Sequence, residues 1–245
     1  MADQCIFCEK TSGSQEHAWP DWLVKHVTER RKDWQLEVVR LGSPLISVEQ
    51  VNREIEVVVD CVCDRCNRGW MKKLEDRVSS FAKPMMDGKP AVLKWQQRDQ
   101  LARWAAKTAL ALECSYNGEH RTPRRIREQV RMHAKLPISI DVALGAYSGA
   151  RPLGSMRVIW DALDGDELYL IWSVLIFGNV FIEARTNTRR KERASLLSAQ
   201  SDFLIPLTGV ERDQIKWPPR SAFGDDSIDN YAANMNDLVR QNTTS

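Results

Sequence analysis

Two Cys-x-x-Cys pairs, Cys5/Cys8 and Cys63/Cys66, constrain the fold of this chain more than any other feature. A two-residue gap lets both thiolates of a pair reach one ion from a single tight turn, and two such turns complete a tetrahedral four-sulfur site. Thiolates are soft donors that select zinc over magnesium or calcium. A closed set of four leaves no position for chemistry, so the expected zinc, on Cys5, Cys8, Cys63 and Cys66, is structural. Cys61 competes with Cys63 for that role, and the two-residue gap to Cys66 favours Cys63. Cys114 closes a helical stretch and reads as a small core residue.

The start, Met-Ala-Asp-Gln-Cys, lacks the basic-then-apolar pattern of a secretory leader. A cytoplasmic location follows as the expectation, and there paired cysteines serve metals rather than disulfides. The longest apolar stretch, 168–182, is broken by Gly178-Asn179 and is too short to span a bilayer, so it reads as two buried strands joined by a turn. No membrane partner is expected. Basic and acidic residues number 35 and 33, a net charge of +2, so any nucleic-acid footprint must be local.

Periodicity divides the chain into a metal-organised module at 1–90, an α+β domain at 91–220 and a flexible acidic, Asn-rich tail at 221–245. In the first segment Pro20 suits a helix start, with Trp22, Leu23, His26 and Val27 on one face. Residues 36–41 and 55–59 are rich in β-branched residues and read as strands. A helix opens near Asn67 and ends by Pro84 and Gly88. The clearest helix spans 97–114, with Leu101, Trp104, Ala105, Thr108, Ala109 and Leu112 on one stripe, and a basic helix follows over 123–135. The texture then becomes β (138–146, 156–162, 168–177, 180–185 and 203–207), an antiparallel sheet packed on the two preceding helices.

The segments Cys-Ile-Phe-Cys (from Cys5), Glu-His-Ala-Trp-Pro-Asp-Trp-Leu (from Glu16) and Cys-Asp-Arg-Cys-Asn-Arg-Gly-Trp-Met-Lys-Lys-Leu-Glu (from Cys63) resemble the HNH endonuclease family. They look most like a branch common in bacteria and their phages, and Ala102–Ala109 extends the likeness. The resemblance implies a zinc-stapled ββα-metal module in which two strands and a helix grip one divalent cation. It implies Glu16 and Asn67 as ligands of a catalytic Mg²⁺ or Mn²⁺, and His17 as the general base. The family's middle Asn, which steadies the histidine loop, has no counterpart in Val57–Asp60; Asp60 or Asn52 are the substitutes nearby.

The chemistry stands beside the resemblance. An imidazole can take a proton from water at physiological pH, and few, hard oxygen donors suit a partly hydrated Mg²⁺ or Mn²⁺. Asn67 has a plainer role open to it as a helix cap. Arg65, Arg68, Lys72 and Lys73 lie nearest the expected site and are candidate phosphate contacts. A basic run with Arg121, Arg124, Arg125, Arg127, Arg131 and Lys135, and a second with Arg185, Arg189, Arg190, Lys191 and Arg193, could bind a backbone or simply face water. The function expected is metal-dependent hydrolysis of DNA, with RNA as an alternative substrate and a non-cutting zinc-stabilised binding module as the rival reading.

Overall fold

The structure, a computed structural model, describes residues 4–30, 36–42, 45–51, 58–115, 122–132, 135–151, 153–161, 169–187, 202–209 and 213–230. Strands β1 (Ser14–His17) and β4 (Val58–Val62) pair antiparallel, with Glu16 opposite Val59 and His17 opposite Val58. Ser14 lies opposite Val62, so β4 carries an extra residue, and the resulting bulge bends the ladder and re-aims its side chains. Helix α1 (Asp21–Arg30) begins behind Pro20, whose carbonyl accepts from the Leu23 and Val24 N–H groups, and it buries Leu23 and Val27. After β4 the chain makes a wide turn, Cys66–Met71, kinked at Gly69 (φ −92°, ψ −106°). Helix α2 (Lys72–Met86) continues from it, and Pro84 is accommodated inside its last turn rather than ending it.

Helix α3 (Trp95–Cys114) is the central element. It buries Leu101, Trp104, Ala105, Leu110 and Leu112, as the stripe in the sequence requires, and Trp104 meets Phe177 edge-on at 5.2 Å. Short strand β5 (Ala91–Lys94) leads into it and later pairs with β11 (Gln214–Trp217). Helix α4 (Arg124–Met132) follows α3 behind Pro123.

The large sheet combines β2 (Leu36–Gly42), β3 (Leu45–Val51), β6 (Ile140–Tyr147), β7 (Leu153–Asp161), β8 (Tyr169–Phe177), β9 (Val180–Asn187) and β10 (Leu204–Pro206) in the order β10-β6-β9-β8-β7-β2-β3. Two expectations are corrected here. The sheet is mixed, because β2 runs parallel to β7. Moreover β2 and β3, read from sequence as part of the first 90 residues, extend the C-terminal sheet instead of the zinc module. Residues 55–57 of the other expected strand lie outside the described residues.

Alternation along the strands sends Val142, Leu144, Leu175, Phe177 and Ile182 to the face that packs on α3, in one apolar cluster continuous with Cys5, Cys8 and α2. Ala143, Val174, Ile176 and Phe181 face the other way, where Phe223 and Ile228 cover them. The β8–β9 turn is tight because Gly178 (φ 58°) sits where a Cβ would lie 2.5 Å from the Met86 carbonyl oxygen, so the hairpin tip seats directly on the end of α2.

The tail expectation also needs correction at its start. Strand β12 (Ala222–Phe223) pairs parallel with β6, and a helical turn over 225–230 follows. Asp225 accepts hydrogen bonds from the Tyr147 hydroxyl and, at 2.8 Å, from the Ala150 N–H, so this stretch is held by the sheet. Residues 231–245 lie outside the described residues. No helix among the described residues is long and apolar enough to cross a membrane.

Candidate functional site

Two tight turns build the sulfur site. In the first, the Cys8 N–H bonds the Cys5 carbonyl and the Cys5 N–H bonds that of Lys10; in the second, the N–H groups of Cys66 and Asn67 share the Cys63 carbonyl. The first turn is tied to β4 by the Ile6 N–H to the Cys61 carbonyl, 2.9 Å. Cys5, Cys8, Cys63 and Cys66 are all buried, and their sulfurs lie within 4.8 Å of one another. The Cys8 sulfur is 3.5 Å from that of Cys63 and 3.7 Å from that of Cys66. A tetrahedron of ~2.3 Å Zn–S bonds has edges near 3.8 Å, so the donor set fits structural zinc in type, number and spacing.

Crowding divides the charge unevenly among these thiols. A hydrogen bond from Cys66 brings the Cys5 thiol down to about 4, that same bond pushes the Cys66 thiol up, and burial pushes Cys8 up. Cys61, the competing ligand, is instead joined to Cys114 in a disulfide. That overturns two expectations: Cys114 is not a plain core residue, and not every cysteine pair in this chain serves metal. Periodicity could not reveal it, because the pairing joins β4 to the end of α3 across 53 residues.

The second turn delivers Asn67 to β1. Its side-chain nitrogen donates to the Ser14 hydroxyl at 3.0 Å and to the Gln15 carbonyl at 3.2 Å. A carbonyl can only accept, so this contact fixes the amide orientation and leaves Oδ1 as the accepting atom of the side chain. Asn67 is therefore not a side-chain helix cap. His17, half-buried, places Nδ1 3.7 Å from an Asp21 carboxylate oxygen at the start of α1. Asp60 is exposed, and its carbonyl accepts from the Gly13 N–H; Asn52 lies outside the described residues. Asp21 is thus the group the structure sets beside the imidazole, a residue that sequence reasoning passed over inside the quoted motif.

Glu16 and His17 are successive strand residues and point to opposite faces of β1. Glu16 turns inward, 5% exposed, and its Oε1 accepts from the Lys107 ammonium at 3.0 Å. Lys107, fully buried on α3, also donates to Glu75 of α2 at 2.6 Å. Burial disfavours the lysine charge, but the two carboxylates outweigh it and its pKa rises, so the ammonium persists. For Glu16, burial dominates and pushes its carboxyl up against the pull of Lys107. Sequence reasoning missed Lys107, although a signal existed: it is the only charged residue between Arg103 and Glu113, in a run otherwise of Trp, Ala, Thr and Leu.

Arg65, Arg68, Lys72 and Lys73 all lie exposed on the kinked turn and the first turn of α2. Arg68 has Asp64 within 3.5 Å and Lys72 pairs with Asp76. The basic helix α4 is arranged differently from expectation. Arg124 donates to Glu128 and Gln4, and Arg131 donates to the Phe7 carbonyl, so these residues engage the first cysteine turn. Arg125 is exposed. Of the second basic run, Arg185 is buried, paired with Glu183 and stacked 3.9 Å over the Trp172 ring. Arg121, Arg189, Arg190, Lys191 and Arg193 lie outside the described residues. No protein-family model, curated protein or solved structure matches this chain.

Proposed function

We propose that this chain is a metal-dependent endonuclease of the HNH type that hydrolyses DNA phosphodiesters, with its cysteine-bound zinc as a structural staple. The observation that carries the reading is the bond from Asn67 to the Gln15 carbonyl, across 52 positions of chain. It draws the Asn67 side chain onto the strand that carries Glu16 and His17, in a β1–β4–helix arrangement such as the resemblance implies. His17 would take the proton of the attacking water. A proton kept on Nδ1 toward Asp21 leaves Nε2 as the accepting nitrogen. Asn67 Oδ1 would hold Mg²⁺ or Mn²⁺, joined by a Glu16 carboxylate turned from Lys107 toward the face that His17 presents. Such an ion would offset charge gathering on the phosphoryl oxygens and the departing 3′ oxygen. Arg65, Arg68, Lys72 and Lys73 would grip the backbone without reading sequence.

Plasmid nicking in Mg²⁺ or Mn²⁺ tests the reading. Wild type should nick, and His17→Ala should fall by about 10²-fold or more while binding DNA equally well. Equal activity in the two proteins removes His17 from the mechanism. A second reading, a zinc-stabilised nucleic-acid-binding module that does not cut, is favoured by one observation: Glu16 Oε1 is held by Lys107 and faces the interior. That reading gains if wild type binds DNA and leaves it intact at every concentration of either cation.

A further inference from the structure

Two arginines of α4, Arg124 and Arg131, reach the first cysteine turn, while Arg125 faces solvent. Arg124 reaches Gln4 at 2.8 Å and comes within 3.8 Å of Glu9, on either side of the Cys5–Cys8 turn. Arg131 reaches the Phe7 carbonyl inside that turn at 3.4 Å. Arg103 of α3 caps the far end of α4 through the Val130 carbonyl at 2.7 Å, and its guanidinium lies 5.0 Å over the Trp70 ring. Trp70 in turn meets Phe7 edge-on at 5.1 Å. Together these contacts form a shell against the first cysteine turn.

Within this shell, donors are left over. Arg127 Nε and one Arg124 nitrogen (Nη2) have no hydrogen-bond partner among the described residues, and the Trp70 indole is set to donate to the Cys66 sulfur. Arg127 is partly buried, and a donor left unpaired there calls for an acceptor. Arg127 and Arg124 lie close enough to Cys5 and Cys8 to feel their charge, and Trp70 lies beside Cys66. Neutral thiols are weak acceptors. Four thiolates around one Zn²⁺ are strong ones and carry a net charge of −2, which two guanidinium groups neutralise.

Resting on the structural-zinc reading, we propose that Arg124, Arg127 and Trp70 form the outer shell of the zinc tetrathiolate, so that α4 serves metal retention and not nucleic-acid binding. These are positioning residues: they would act through the ligands, not on the ion. The assignment withdraws Arg124 from the expected DNA contacts and leaves that role to the exposed cations at the start of α2.

Zinc transfer from the purified full-length protein to a chromogenic chelator measures retention directly, and nitrocellulose filter binding of labelled duplex measures DNA affinity. Arg127→Ala should release zinc about 10–100-fold faster than wild type with DNA affinity unchanged, and Arg127→Lys should recover part of the retention by restoring the charge. Trp70→Phe keeps the aromatic packing, deletes only the N–H and should also release zinc faster; it carries the test if Arg127→Ala does not fold. Arg68→Ala with Lys73→Ala should show the converse, weaker DNA binding with normal zinc retention. Wild-type zinc release in both Arg127→Ala and Trp70→Phe, or weakened DNA binding in Arg127→Ala with its zinc intact, overturns the proposal. Wild-type protein purified without one zinc per chain would instead remove the metal reading beneath it.

Discussion

Lys107 shows how one side chain can set the character of a site. An ammonium with no solvent contact persists only because two carboxylates, from different elements, meet it at 3.0 and 2.6 Å. Lys107→Met leaves Glu16 and Glu75 buried without their counter-ion and is expected to lower the unfolding free energy by about 3–5 kcal/mol, read from the urea midpoint. Adding Glu16→Gln and Glu75→Gln to that variant should lose less than Lys107→Met alone, since no uncompensated charge then remains. The charged residue itself was visible in the sequence, set in an apolar run of α3. Its partners were not, because helical spacing says which face a residue occupies and nothing about what a different element brings to that face. Glu16, His17 and Asn67 were legible as a motif. That Glu16 turns inward while His17 turns out follows from strand alternation, which needed the extent of β1 to be known.

At the level of elements, α3 and the β8–β9 hairpin were readable because each carries its own local signal: a continuous apolar stripe in one, and Gly178-Asn179 between apolar runs in the other. The start of the acidic tail was misread because a short segment with few large apolar residues can still be held by a handful of contacts. Asp225 is the main one. Burial alone would raise its pKa, yet the Ala150 N–H, the Tyr147 hydroxyl and Arg151 outweigh burial and lower it below the ordinary aspartate value. A lowered carboxylate stabilises the fold above its unfolded pKa and loses that contribution as pH falls through the folded one. On acidification, protection at 222–230, taken as exchange relative to the intrinsic rate at each pH, should therefore fall only as pH drops below about 4. Asp225→Asn should accelerate exchange there at neutral pH by about three- to tenfold, leaving β8 and β9 protected. Uniform loss of protection across the sheet would show that the segment does not open independently.

For the molecule as a whole, the disulfide and the zinc site hold the same end of one strand, two residues apart. Cys61 ties β4 to α3, and Cys63 begins the second metal turn just beyond it. Cys61→Ala with Cys114→Ala should destabilise the protein by about 2–4 kcal/mol and leave one zinc per chain, measured by denaturation and by metal analysis. Loss of zinc in that variant would return Cys61 to the ligand set. The mixed architecture was accessible from periodicity. The division at residue 90 was not, because pairing of β2 with β7 is a long-range choice that neither strand's composition records.

That pairing has a practical consequence. The chain leaves the first cysteine turn, contributes two strands to a sheet built mostly from residues beyond 135, and returns to close the metal site. An excised fragment ending at residue 90 would carry β2 with its β7-facing edge bare, a template for self-association. The cutting head proposed here is thus not portable: grafted onto another protein it would have to take its scaffold along.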